Sequence, residues 1–127
     1  MAAFDYRLGT DIEAPPDRVW AIMRDVEHWP QWTASVKRVR LLDRGPLRVG
    51  SRAIVFQPKL PPGRWRVTEF QDAERRFTWI SAAPGIRVIA SHWVEARGAA
   101  SRGMLTLRFE GILAGVFDWL LRDLNNR

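Results

Sequence analysis

Two histidines, His28 and His92, are the only side chains whose ordinary titration lies near neutrality, and cysteine is absent from the 127 residues. His92 falls in an alternating run. Val88, Ala90, His92 and Val94 share one face of a strand, and Arg87, Ser91 and Glu95 share the other. On the apolar side an imidazole can act as a general acid or base, which makes His92 the one catalytic candidate. The competing reading is a hydrogen-bonded core histidine. His28, before Trp29-Pro30, is expected to face solvent. Gln57 is a second polar residue on an inward phase, with Ala53 and Val55. It can hydrogen-bond a ligand carbonyl or cap the strand before Pro58. Trp65, Phe77 and Trp79 share the inward phase of their strands. Aromatic walls with one or two polar points describe a small-molecule pocket, and equally a sheet core.

Other chemistries find little support. No histidine–carboxylate cluster has zinc spacing, and two histidines cannot build a three-histidine site. The glycines are scattered at turns, without a phosphate-cradling or dinucleotide fingerprint, and no G-x-S-x-G occurs. No cofactor or metal is therefore expected. The absence of cysteine excludes disulfides and thiolate sites and fits a reducing, cytoplasmic setting. The N-terminus lacks the basic and apolar regions of a signal peptide, and the apolar stretch 111–117 is too short to span a bilayer.

Seven tryptophans suit either a large core or a cavity for a flat, greasy ligand. The net charge of +6 is regional. Residues 36–66 hold nine cations (Lys37, Arg38, Arg40, Arg44, Arg48, Arg52, Lys59, Arg64 and Arg66) against one carboxylate, Asp43. Strand phase puts Arg38, Arg40, Arg52, Ile54, Phe56, Arg64, Arg66, Thr68 and Phe70 on the outward face. Arginine mixed with aromatics is interface-like composition. An acidic protein or a second copy of the chain is thus a candidate partner around Arg38, Arg52 and Arg66. A solvated arginine face is the plain alternative. Without an RNA-recognition motif, nucleic acid is disfavoured.

These residues need elements to position them. Residues 4–12 alternate, with Phe4, Tyr6, Leu8, Thr10 and Ile12 on one side, which predicts a half-buried strand. Pro15 and Pro16 stop it, and Pro16-Asp17 opens a helix through about residue 26. A second short helix, Val26–Trp29, is expected to end at Pro30. Strands follow at Val36–Leu42, Ser51–Gln57, Arg64–Phe70, Arg76–Ala82, Ile86–Ala96 and Arg102–Glu110. Their turns hold Gly-Pro, Pro-Gly and Gln-Asp pairs, which predicts consecutive antiparallel hairpins. Helical spacing from Gly111 to Asn126 spreads Ile112, Leu113, Val116, Phe117, Trp119, Leu120, Leu121 and Leu124 over an arc of about 200°. So wide a stripe fits a helix gripped by a curved sheet. No C-cap closes it before Arg127, which leaves open a continuation. No linker or repeat divides residues 1–127, so one domain is expected.

The segments IEAPPDRVWAIMRDVEHWPQW (12–32), GPLRVGSRAIVFQP (45–58), WRVTEF (65–70), RRFTWISAAPGI (75–86) and LTLRFEG (105–111) resemble the START-like, or SRPBCC, superfamily and its polyketide cyclase/dehydrase group. The likeness covers essentially the whole chain. It implies an α+β helix-grip fold: a seven-stranded antiparallel sheet curled around a long C-terminal helix, with two short helices between strands 1 and 2. It also implies a hydrophobic cavity and binding or transfer of a lipid, polyketide or similar molecule. The alternative is a polyketide cyclase or aromatase acting on a carrier-bound poly-β-keto chain, the carrier being acidic. No invariant triad or metal motif comes with the family. Combined with strand phase, the likeness nominates Trp32, at the cavity mouth, with Val55, Gln57, Trp65, Trp79, His92, Leu113 and Phe117 as ligand-contacting residues.

Overall fold

A computed structural model describes residues 3–112 of the chain. Strand β1 (Ala3–Ile12) leads into helix α1 (Pro16–Arg24) and a 3-10 helix (Val26–Gln31). Six strands follow: β2 (Arg38–Leu41), β3 (Arg52–Phe56), β4 (Gly63–Gln71), β5 (Arg76–Ala83), β6 (Ile86–Arg97) and β7 (Ala100–Glu110). All seven form one antiparallel sheet in the order β1-β7-β6-β5-β4-β3-β2. Each strand from β2 onward pairs with its neighbour in the chain, and β1 closes against β7. The curled sheet is that of the helix-grip fold. The expected C-terminal helix lies outside the described residues.

Turn chemistry sets the hairpins. Pro84-Gly85 joins β5 to β6, with Gly85 at φ +83°, as a turn with proline first and glycine second requires. Gly98 at φ +61° opens the two-residue turn between β6 and β7. Helix α1 starts with Pro16 in its first turn, where a missing N–H costs nothing.

Two expectations are corrected. The second short helix does not stop at Pro30, because it is a 3-10 helix that runs to Gln31. Its backbone bonds, His28 N–H to Asp25 C=O and Trp32 N–H to Trp29 C=O, need no donor from Pro30. Phe70 does not face outward. The β4–β5 register shifts between Val67 and Glu69, a bulge that leaves Thr68 unpaired. The extra residue reverses the phase beyond it, and Phe70 packs against the core with its ring 5.7 Å from Trp20.

The core lies between the two helices and the concave face of the sheet. Val19, Trp20, Val26 and Trp29 from the helices pack on Ala53, Val55, Val67, Phe77, Trp79, Ala90 and Val94. Polar contacts fix the helices over the β4–β5 turn. Trp20 Nε1–H donates to Asp72 at 2.7 Å, Arg24 binds the same carboxylate at 2.8 Å, and Arg75 binds Asp17 at 2.8 Å. At the other end Glu27 accepts from the backbone N–H of Leu41, tying the 3-10 helix to edge strand β2.

Candidate functional site

Between the helices and the concave face lies a cavity of about 610 Å³. Of the residues nominated from the sequence, Trp32, Val55, Gln57, Trp65, Trp79 and His92 all line it. Leu113 and Phe117 lie outside the described residues. Trp32 sits at the rim and is 54% exposed, alongside exposed Leu8 and Ile22, which also border the cavity. No Asp, Glu, Lys or Arg is among the described lining residues.

The inward alternation of β1 places Leu8, Thr10 and Ile12 on the wall opposite Trp65 and Trp79 in the strand order. Leu8 pairs with Leu105 and Thr10 with Gly103, which lie in phase with His92 and Val94 on β6. Trp29 was not singled out from the sequence, yet its ring ties the 3-10 helix to the site. Its Nε1–H donates to the Met23 carbonyl at 2.8 Å, which orients the ring. The ring centroid then lies 5.3 Å from Trp79 and 5.1 Å from His92. The signal available was position: Trp29 falls three residues after Val26, on the same side of a helical turn.

His92 is 8% exposed. Phe77 lies directly across from it on β5, and the two rings stack at 4.5 Å with 11° between planes. Trp79 presents its edge at 6.0 Å. The Nδ1 atom is sealed from solvent and has no hydrogen-bond partner. Burial pushes the imidazole down to about 3, so it is neutral at physiological pH. The side chain is core-like in burial but not held by a hydrogen bond at Nδ1, and a base so weak is poorly matched to proton transfer at neutrality. His28 lies exposed, as expected, and its bond to Asp25 raises its pKa.

Thr10 lies on the β1 wall, and three other polar residues engage one another near the mouth. The hydroxyls of Thr33 and Ser35 lie 2.8 Å apart, and Gln57 Nε2 donates to the Ser35 carbonyl at 3.4 Å. Gln57 therefore spends a donor on the loop before β2. No group of His, Asp or Glu side chains among the described residues could hold a metal ion. No described helix is long and apolar enough to cross a membrane.

On the convex side, β2, β3 and β4 bring the arginines together. Arg38 pairs with Phe56, Arg40 with Ile54, Ile54 with Arg64, and Arg52 with Arg66. The Arg38 guanidinium lies 5.9 Å from the Phe56 ring centre. Asp43 is bonded to Arg52 at 3.0 Å, which holds its carboxyl below the usual range.

The fold is shared with solved structures at low sequence identity. A protein from Thermobifida fusca is 18% identical, with 94% of this chain and 83% of that one aligned at a TM-score of 0.76. Ginseng major latex-like protein 151 from Panax ginseng is 15% identical, covering 94% and 91% at 0.73. The ZhuI aromatase/cyclase from Streptomyces sp. R1128 is 17% identical, covering 87% and 69% at 0.71. No curated protein matches the sequence. The family model described as polyketide cyclase/dehydrase and lipid transport matches residues 4–125, so the chain belongs to that family, within the START-like SRPBCC group.

Proposed function

We propose that this protein binds or transfers a hydrophobic small molecule in the cavity beneath Trp29. The observation that carries the reading is the wall itself: about 610 Å³ bounded by tryptophans and aliphatic side chains, with no charged side chain among the described lining residues. Trp32, Val55, Gln57, Trp65, Trp79 and His92 are its proposed contacts, with Leu113 and Phe117 proposed from the sequence alone. Residues 1–127 act in this reading as one domain. Native mass spectrometry of protein purified from a heterologous host tests it. A co-purifying apolar molecule, lost when Trp79 is changed to a charged residue, supports it. A protein that neither carries nor takes up any apolar compound overturns it.

A second reading is a polyketide cyclase or aromatase. Likeness to the ZhuI aromatase/cyclase favours it. In that case the cavity shape folds the substrate, and the weakly basic His92 contributes a hydrogen bond more than a proton transfer.

We further propose that the convex face of β2–β4 docks an acidic protein surface. Among the described residues, Arg108 and Arg102 on the β1–β7 half of the sheet are paired with Asp5, Glu110 and Asp11. Arg38, Arg40, Arg64 and Arg66 in the β2–β4 half have no carboxylate partner among the described residues, and Asp43 pairs with Arg52. A two-fold dimer through this patch would set arginine against arginine, so an acidic partner fits better than a second copy. A cytoplasmic location is part of this proposal, since a cysteine-free chain needs no oxidising compartment.

A further inference from the structure

We infer that the cavity selects uncharged ligands carrying a hydrogen-bond acceptor, an aryl ketone being the simplest class, and that the Nε2–H of His92 is the donor that reads it. The inference rests on the ligand-binding proposal and narrows it.

Three observations meet at this ring. First, its orientation is fixed. Phe77 covers one side at 4.5 Å, Trp29 lies 5.1 Å away, and Trp79 closes the edge. Second, its two nitrogens are unequal. Nδ1 is sealed with no partner, whereas Nε2 is not sealed in this way and His92 lines the cavity. A neutral imidazole carries one proton. A buried N–H without an acceptor is rarer and costlier than an unused lone pair, so the proton belongs on Nε2, where water or ligand can accept it. Third, the polar groups near the mouth are engaged: the Thr33 and Ser35 hydroxyls bond each other, and Gln57 donates to the Ser35 backbone carbonyl. Thr10 and the indole N–H groups of Trp65 and Trp79 also line the cavity without a hydrogen bond, but among the described lining residues only the His92 ring is held in a stack, 4.5 Å from Phe77, with one nitrogen sealed.

The wall completes the selection. A carboxylate or ammonium brought into this cavity would find no counter-charge among the described lining residues, and burying an unpaired ion is expensive. A ketone brings an acceptor without a charge. Trp29, Trp65 and Trp79, with centroids 5.3 and 5.5 Å apart along the row, offer ring faces and edges to a flat ligand.

The test uses competition against N-phenyl-1-naphthylamine, a neutral fluorescent probe, by 2-acetylnaphthalene, 2-ethylnaphthalene and 2-naphthoate. In the wild type the ketone and the hydrocarbon both compete, and the naphthoate competes at least about tenfold less well than the ketone. In His92→Leu the ketone loses about tenfold in affinity and the hydrocarbon changes less than about threefold, the loss of one hydrogen bond to a buried site. His92→Gln, which keeps a donor, restores part of the ketone affinity. Ring ¹⁵N NMR of the wild type supplies a readout that needs no variant. It should show the Nε2–H tautomer near neutral pH, with Nε2 shifted by the ketone and not by the hydrocarbon. An Nδ1–H tautomer, or ketone and hydrocarbon weakened equally in His92→Leu, overturns the inference while leaving the cavity reading intact. A wild type that binds neither probe nor competitors overturns the cavity reading itself.

Discussion

Phe77 and His92 face each other across β5 and β6 with their rings nearly parallel, centroids 4.5 Å apart, and Phe77 is wholly buried. The pair keeps an imidazole inside the core as a neutral ring. That arrangement has a pH signature. The folded-state pKa is depressed to about 3, below the ordinary 6.5, so the unfolded chain takes up a proton that the folded chain refuses. The contribution is fully present above about pH 6.5 and is lost as pH falls toward 3, with a slope approaching 1.4 kcal/mol per pH unit. Urea unfolding of the wild type should show the midpoint falling on acidification. In His92→Leu that slope should flatten. An unchanged pH profile in the variant would assign the acid sensitivity to other groups.

At neutral pH the same His92→Leu substitution should be neutral or mildly stabilising. It removes a ring nitrogen that has no partner, so it orphans nothing. A loss of more than about 2 kcal/mol in urea unfolding would mean that the ring holds a hydrogen bond in solution, the usual cost of breaking a buried one.

Asp72 binds both Trp20 and Arg24, so one carboxylate at the β4–β5 turn holds α1 in place. Asp72→Ala leaves the partly buried Trp20 N–H without its acceptor and should cost about 1–3 kcal/mol. Most of that loss belongs to Trp20, because the exposed Arg24 pair contributes little. Arg24→Ala, measured beside it by urea unfolding, should fall below about 1 kcal/mol. Equal losses would move the anchor from the indole to the ion pair.

Much of this arrangement is legible in the chain, because sheet phase is a local property. Alternation in Phe4–Ile12 and Val88–Val94 is enough to place Leu8, Thr10, Ile12, Ala90 and His92 on one surface, and the registers of β1, β7 and β6 agree. Phase fails where a bulge inserts a residue. Thr68 carries no sequence mark that distinguishes it from a paired strand residue, so Phe70 reads as outward when it packs on Trp20. Trp29 was illegible for a different reason. Its role depends on how the 3-10 helix is laid across the sheet, a tertiary fact that helical spacing alone does not contain. The missing partner of His92 Nδ1 is of the same kind. Burial and face follow from alternation, whereas the presence or absence of an acceptor depends on which side chains arrive from other elements.

Gly111, just after β7, adopts φ +113°, and a Cβ there would stand 2.5 Å from the Gly85 carbonyl oxygen. Both the positive φ and the backbone clash oppose any side chain. Gly111→Ala should cost about 1–3 kcal/mol, read as a lower urea midpoint. Gly50→Ala is the control. Gly50 also has positive φ, at +91°, but nothing lies within 4 Å of a Cβ there, so its loss should be smaller. A larger loss at Gly50 would mean that dihedral strain, and not the approach of Gly85, governs both sites.

The arginine face gives the last prediction. Arg66 stands opposite Arg52 across β3 and β4, and like charges so placed destabilise a sheet. Arg66→Glu converts that pair to opposite charges. It should raise stability slightly at low salt and less at high salt, where exposed charges are screened. If the face docks an acidic protein, the same substitution should weaken association. Combined with Arg38→Glu it should act mainly on the on-rate, since steering charges govern encounter. Polyglutamate serves as a minimal acidic probe and phosphatidylglycerol vesicles as the competing surface, each titrated at low and high salt. Salt-sensitive binding of polyglutamate that the double variant abolishes supports the proposal. Vesicle binding without polyglutamate binding would assign the face to a membrane instead, and no binding to either at low salt would leave the arginines as a solvated surface.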